Sequence, residues 1–537
     1  MWRGHRLEVY FVVATFLHYV TTAWCEKCTN DTSLCTFPTP FEDCVAQWCR
    51  NIPTVSIDGT GNASVAAITG NIPTTLGFLD ITQQVYLFDV NLVGTLPSSI
   101  GSLSNLRSTL TLDSLLLTGT IPSSIGSLSS LVGWLVLDSL DLTGTLPSSM
   151  TSLSNLLSGV VVENLALTGT IPSKIGWSWA QLQILFYLNN LQLSGTLPAS
   201  LGSMPMLSGV FTIENLQQVT GSIPNSFGSL TGLRYDFELI NVSLSGSLPS
   251  SLGSLTQLTN AFIIENLNSV GTIPPSLGSL IDLKGEFQVV ECQLTGTIPP
   301  SLSSLSSLTA IFVLRELDLS GTIPASLASL SIKDLFGLQE MSLTGTIPHS
   351  FGSMSTLSTA VALQQLQLSG TLPSSLGSLT GLKSILAITS IPLTGTIPPS
   401  LGALTELAYQ LLIWDTEITG TLPSDLHKLT ALSELHVPGN HLTGEINLPC
   451  SYNRFGQAVE LGLVNLDVAG NELTNIPFGE HSALCLNSQI LTNVDASNNP
   501  LRGTLPAALG SFTSLRVRAV PRFVVRGSAH IPSLPPS

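Results

Sequence analysis

Between Leu131 and Pro147 apolar and polar positions alternate. Leu135 and Leu137 are set off by Trp134, Val136 and Asp138, and Leu140 and Leu142 follow at the same spacing. A period of two predicts a strand with one buried face. Gly144 permits the bend that ends the strand, and Pro147 fixes the backbone as the chain leaves. Met150, Leu153 and Leu156 then recur three apart, the spacing of a short 3₁₀ turn on the opposite side. The phrase Gly-Thr/Ser-Ile/Leu-Pro marks each return of this pattern, at Gly94, Gly119, Gly144, Gly169, Gly195, Gly221, Gly246, Gly271, Gly296, Gly321, Gly345, Gly370, Gly395, Gly420 and Gly503. Up to Gly420 the interval is 24 to 26 residues. Weaker copies begin at Gly70, Gly444 and Thr474. One unit cannot bury its own apolar face, so the copies are expected to stack. The expected fold is an α/β repeat solenoid, with a parallel sheet on the concave side and mostly 3₁₀ or irregular backbone on the convex side. At about 4.8 Å per strand, about seventeen units would give a body roughly 75 to 80 Å long.

The period overrides the prior from length, which for 537 residues would be about three or four globular domains. Residues 1–24 read as a secretory signal: Arg3, His5 and Arg6 precede an apolar run from Val9 to Val20 and the small-residue pattern Thr21-Thr22-Ala23. An uncleaved anchor is the alternative. Residues 25–60 are expected to cap the stack, residues 61–515 to hold about 17 to 18 repeats, and residues 516–537 to form an irregular basic, Pro-rich tail. Five of the eight cysteines lie between Cys25 and Cys49, which suits an oxidising compartment. Cleavage after Cys25 would leave Cys28, Cys35, Cys44 and Cys49 for two bridges, whereas cleavage after Ala23 would leave one cysteine odd. Cys450 and Cys485 are a further candidate pair. Asn30, Asn62 and Asn241 open glycosylation sequons. The tail breaks the pattern after Leu515, as would be expected of a truncated or frame-shifted form of a longer membrane-anchored receptor.

The phrase Leu-x-Gly-x-Ile/Leu-Pro-x-x-Leu/Ile-Gly-x-Leu resembles the plant-receptor type of extracellular leucine-rich repeat, which is also similar to that of surface antigens of kinetoplastid protists. The segment Cys44-Val-Ala-Gln-Trp48-Cys49 is similar to the paired-cysteine cap of that group. The resemblance covers about residues 25 to 515 and implies a fold that hosts many unrelated binding roles. One departure stands out. The family places Asn four residues before the repeat Gly, but here the position reads Leu115, Leu140, Leu165, Val242, Cys292 or Met341, and Asn returns only at Asn440, Asn471 and Asn499. Either the turn is rearranged, or apolar packing replaces the asparagine ladder in the middle repeats.

Sheet-face positions are expected eight and six residues before each repeat Gly. One column is largely apolar (Val136, Val161, Ile263, Val313, Ala362, Ala387) and the other acidic or polar. An exposed apolar band beside an acidic stripe suggests a partner surface. The candidate ligand-binding residues are Asp113, Asp138, Glu163, Tyr187, Glu238, Glu265 and Trp414. Cys292 fits a buried structural thiol. His427, His436, His441 and His481 fall on different faces, so no metal site is expected. The chain has neither a Gly-x-x-x-x-Gly-Lys-Ser/Thr phosphate loop nor a kinase-like segment, so neither cofactor nor catalysis is expected. A net charge of −16 argues against nucleic acid as partner.

These features imply a non-catalytic, secreted or cell-surface recognition protein that binds a protein or glycan along its sheet. Membrane attachment would run through an uncleaved N-terminal segment or a missing C-terminal tether. The rival readings are an inhibitor of a secreted hydrolase and a structural coat, adhesion protein or truncated receptor ectodomain.

Overall fold

The repeat beginning at Trp134 shows how each coil is built. In the computed structural model, which describes residues 54–58, 69–449, 451–452, 458–459, 461–475, 490–501 and 515–518, the strand Trp134–Thr145 is followed by a 3₁₀ turn at Ser148–Ser152. Leu135, Leu137, Leu140, Leu142, Met150, Leu153 and Leu156 are all buried, as the two spacings require. Full burial of a side chain of this size contributes about 1.5 to 3 kcal/mol. Two inward pairs lie on one strand because Ser139 bends it: its φ is +50°, and the equivalent residue is left-handed in coil after coil, from Asp89 to Asp415. Gly144 has φ +82°, and a Cβ there would lie 2.8 Å from the Thr120 methyl of the preceding coil. Thr143 meanwhile donates to the Gly119 carbonyl at 3.0 Å. On the far side, a Cβ at Gly126 would meet the Ser149 carbonyl oxygen at 2.2 Å, so glycine sets the close approach of these two 3₁₀ turns, whereas Thr151, Ser303 and Ala328 stand at the equivalent position of their own turns.

The chain forms two compact units, Met1–Leu156 with Val160–Thr168 and Leu157–Gly159 with Gly169–Ser537. In the first, the strands Gln84–Thr95, Thr109–Thr120 and Trp134–Thr145 pair in parallel, with Thr54–Asp58 added at one side. In the second, parallel strands run from Leu185–Leu191 through Gln410–Trp414 to Glu434–His436, Asn465–Asp467, Asn493–Asp495 and Arg516–Arg518. Among the described residues, α-helix is confined to Ile175–Ser178; 3₁₀ turns such as Ser250–Ser254 and Pro275–Ser279 cover the side opposite the sheet. The leucine-rich-repeat solenoid expected from the spacing is the architecture seen. The cysteines Cys28, Cys35, Cys44, Cys49, Cys450 and Cys485 and the sequons at Asn30 and Asn62 lie outside the described residues.

A column of phenylalanines runs through the core of the second unit. Phe186, Phe211, Phe237, Phe262, Phe287, Phe312 and Phe336 stack ring on ring, with centroids 5.2 to 5.7 Å apart and planes 6° to 20° from parallel. Register enforces this, since in-line pairing places Phe237 beside Phe262 and Phe262 beside Phe287. Phe227 and Phe351 meet the column edge-on. Such pairs add about 0.5 to 1.5 kcal/mol each beyond burial.

The asparagine departure resolves in favour of apolar packing. Among the described residues the left-handed position recurs from Asp89 to Asp415 and again at Gly439, Gly470 and Asn498 just before the three returning asparagines, so the turn itself is not rearranged. Asn440, Asn471 and Asn499 are buried; Asn471 Nδ2 donates to Val437 O at 2.9 Å, and its Oδ1 accepts from Leu442 N at 3.0 Å. Elsewhere Leu115, Leu140, Val242 and Leu267 fill the slot. Strand pairing runs through it (Leu115 beside Leu140, Val242 beside Leu267), so the backbone bonds to its neighbours without an amide side chain. Cys292 occupies the same slot beside Leu267, buried, with Sγ donating to Val290 O at 3.3 Å. Burial pushes its thiol up to about 11, which fits the structural role expected of it.

Candidate functional site

Residues alternating with the buried leucines and phenylalanines carry the outward face of the sheet. In the first unit, Asp113 and Asp138 are direct partners on adjacent strands. Ser114 donates to Asp113 at 2.9 Å, and Ser139 and Asn164 each donate to Asp138 Oδ1 at 2.9 Å. Both carboxylates are buried, as is Glu163. Burial, reinforced by the charge of Asp138, pushes Asp113 up to about 7.

The expected exposed apolar band is not there. Val136, Val161, Ile263, Val313 and Ala387 are no more than 9% exposed. Parallel strands lie about 4.8 Å apart, so short branched side chains in register cover each other's flanks. A run of small apolar residues on such a face makes a closed floor. What reaches solvent beside it is a set of longer side chains, Tyr187, Glu214, Glu238, Glu265 and Arg315 among them.

These gather in the second unit. Tyr187 Oη donates to Glu214 at 3.4 Å and accepts from Asn189 at 3.0 Å. Thr212 donates to Glu238 at 2.9 Å, and Asn260 to Asp236 at 2.7 Å. On the second strand beyond that of Asp236, Gln288 donates to Glu286 two positions before it. Burial, then the charge of Asp236, then those of Glu214 and Glu286, push Glu238 up to about 8. Glu265 is raised by burial and by Glu291, with Arg315 opposing. Arg315 itself bonds Glu291 at 2.7 Å. Tyr187 and Glu238 therefore belong to one carboxylate-rich patch, and Glu265 lies on the strand beside Glu238. Trp414 lies several strands further along, half-buried next to Thr389.

Two groups of residues were missed from the sequence. Asp236 and Glu286 lie ten residues before their repeat glycines, one step upstream of the two columns read; the same alternation would have reached them. Near the far end, His436 Nε2 lies 3.2 Å from Glu434, and its Nδ1 lies 3.7 Å from Asp467. Gln410 donates to Glu434 at 2.7 Å and Asn465 does so at 3.0 Å. The bond to Asp467 raises the His436 imidazole above its ordinary value. The spacing of the histidines alone does not reveal this cluster, because its partners Asp467 and Asn465 come from a neighbouring strand. Among the described residues, no three His, Cys, Asp or Glu side chains are arranged to hold a metal ion.

No family model and no curated protein matches the sequence. Solved structures do match. The plant peptide hormone receptor RGFR1, in complex with RGF2, is 27% identical over 87% of this chain and 78% of its own, with a TM-score of 0.66. A TDR receptor is 24% identical over 89% of each chain (TM-score 0.62). The protein LIC12759 of Leptospira interrogans is 22% identical over 79% of this chain and 92% of its own (TM-score 0.54). With the coil geometry above, these likenesses give the conclusion that the chain is a leucine-rich-repeat protein whose repeats are of the plant-receptor type.

Proposed function

We propose that the chain is a non-catalytic extracellular recognition protein that binds a protein or peptide partner on the outward face of its sheet. The observation that carries this reading is the contrast between the two sides of each strand in the second unit. Core positions repeat one residue type for coil after coil, while outward positions change from Tyr187 to Glu214, Glu238, Glu265, Arg315 and Trp414, all half-buried. Variation confined to one face of a rigid scaffold is how such folds acquire specificity. The likeness to RGFR1, a peptide hormone receptor solved with RGF2, supports the same choice.

Photo-crosslinking amino acids placed at Tyr187, Glu265 and Trp414 test it, with Ser279 on the 3₁₀ side as control, in chain applied to the surface of source cells. One product shared by sheet-face positions and missing at Ser279 is expected. Crosslinking that is equal at all four positions, or confined to Ser279, would sink the assignment.

A further inference from the structure

Four asparagines form a side-chain ladder along the rim where the sheet of the second unit turns. Asn215 Nδ2 donates to Asn189 Oδ1 at 2.9 Å, Asn241 to Asn215 at 2.8 Å, and Asn266 to Asn241 at 2.8 Å. Asn215, Asn241 and Asn266 are each left-handed, with φ between +50° and +55°. This conformation tolerates Asn better than most residues, so the bend alone accounts for these three asparagines. The hydroxyl that one of them has nearby donates to the preceding coil, Ser243 Oγ to Gln217 O at 2.7 Å, and in addition completes a sequon. Two positions on, Asn189, Asn215 and Asn266 meet Leu191, Gln217 and Asn268, and only Asn241 meets a hydroxyl, Ser243. Asn241 is thus the one rung that is also a glycosylation acceptor.

The rung has room for the modification. Asn241 is half-exposed, and its amide uses one N–H toward Asn215 and its carbonyl toward Asn266. The second N–H has no acceptor among the described residues. Transfer from a polyprenyl-diphosphate-linked oligosaccharide breaks the C1–O bond to phosphate and forms C1–Nδ2. One Nδ2 proton is lost and the lipid diphosphate leaves. The product amide keeps one N–H and its carbonyl, the two groups the ladder needs.

Location gives the glycan a consequence. Asn241 directly follows Ile240, whose partners on the adjacent strands are Glu214 and Glu265. Asp236 lies at the other end of the strand that carries Ile240, and Glu286 stands in register with it two strands along. We propose that Asn241 carries an N-linked glycan whose linkage amide stays in the ladder, and that this glycan fences one rim of the carboxylate patch. A partner then reaches the patch from the side of Asp236 and Glu286. The proposal rests on the extracellular reading above.

The test uses the full chain with a secretory leader fused ahead of it, made in a glycosylating eukaryotic host and, in parallel, under an inhibitor of oligosaccharide-lipid synthesis. Peptide mass mapping is expected to find Asn241 occupied in the secreted wild type and in Ser243→Thr, and bare in Ser243→Ala. Carboxylate labelling with a water-soluble carbodiimide and glycine ethyl ester should be severalfold slower at Glu265 in the glycosylated chain, with exposed Glu417 unchanged. A bare Asn241 in the secreted wild type overturns the proposal and leaves the extracellular reading standing. Equal labelling of Glu265 in both preparations overturns the fence. Retention of the chain inside its source cells under its own first residues overturns the extracellular reading, and the proposal with it.

Discussion

Asp113 and Asp138 sit opposite each other on adjacent parallel strands, both largely removed from water. Asp113 titrates near 7 in the folded chain against 3.8 for the free side chain, through burial and then the charge of Asp138. The folded state therefore holds a proton that the unfolded state has released across that interval. Stability from this group is full below the unfolded value and is lost as pH rises toward 7. Asp113→Asn keeps the acceptor for Ser114 and removes the titration. The expected result is a variant more stable than wild type at pH 8, by at most about 4 kcal/mol, and equal to it at pH 4. Urea melts at the two pH values check this; a variant less stable at pH 8 would contradict it.

His436 carries the opposite sign of charge under the same linkage. Its folded value is raised by the bond to Asp467, so its contribution is present at pH below the unfolded value and disappears as pH climbs through the folded one. Asp467→Asn should lower the imidazole titration midpoint, as followed by the NMR shift of its ring protons. A midpoint that stays in place would show that the 3.7 Å approach has no electrostatic effect.

Phe262 is fully buried, with Phe237 on one face and Phe287 on the other. Phe262→Leu preserves most of the apolar volume but removes two ring pairs, at a cost of about 1 to 3 kcal/mol. Hydrogen exchange should locate the loosening in the coils on either side, because a solenoid passes stress only to its neighbours. A change below about 0.5 kcal/mol, the scale of a neutral surface substitution, would mean that the stacking adds nothing to the burial.

Gly296 has φ +83°, and a Cβ there would lie 2.9 Å from the Thr272 methyl. Gly296→Ala should cost about 1 kcal/mol or more for the left-handed backbone alone, with a further penalty from the contact. In the background Thr272→Ser, which removes that methyl, the contact penalty should vanish and the backbone cost remain. A double-mutant cycle with no coupling would mean that the coils separate freely at this point.

Most of the architecture was legible in the sequence because both of its periods are short. Leu135 and Leu137 at a spacing of two, and Met150, Leu153 and Leu156 at a spacing of three, point where expected. The site was less legible, for a reason that concerns distance between strands. Val136 and Asp138 do alternate with buried leucines, but facing outward on a single strand does not guarantee exposure when the next strand is one hydrogen bond away. Which of the two readings holds for Leu140 in the asparagine slot was not legible. It depends on strand pairing continuing past the left-handed Ser139, and the sequence of one coil does not reveal its hydrogen bonds to the next.

The phenylalanine column bears on how such a chain can grow. Exchange of genetic material between two misaligned coils that both contribute a ring would add or remove a rung and leave every remaining ring seated on another. The same exchange across the boundary where Phe336 gives way to Val361 would set an aliphatic side chain inside the column. Coils from Phe186 to Phe336 are thus interchangeable with one another in a way that they are not with those beyond. Variation in copy number is expected to accumulate within that stretch.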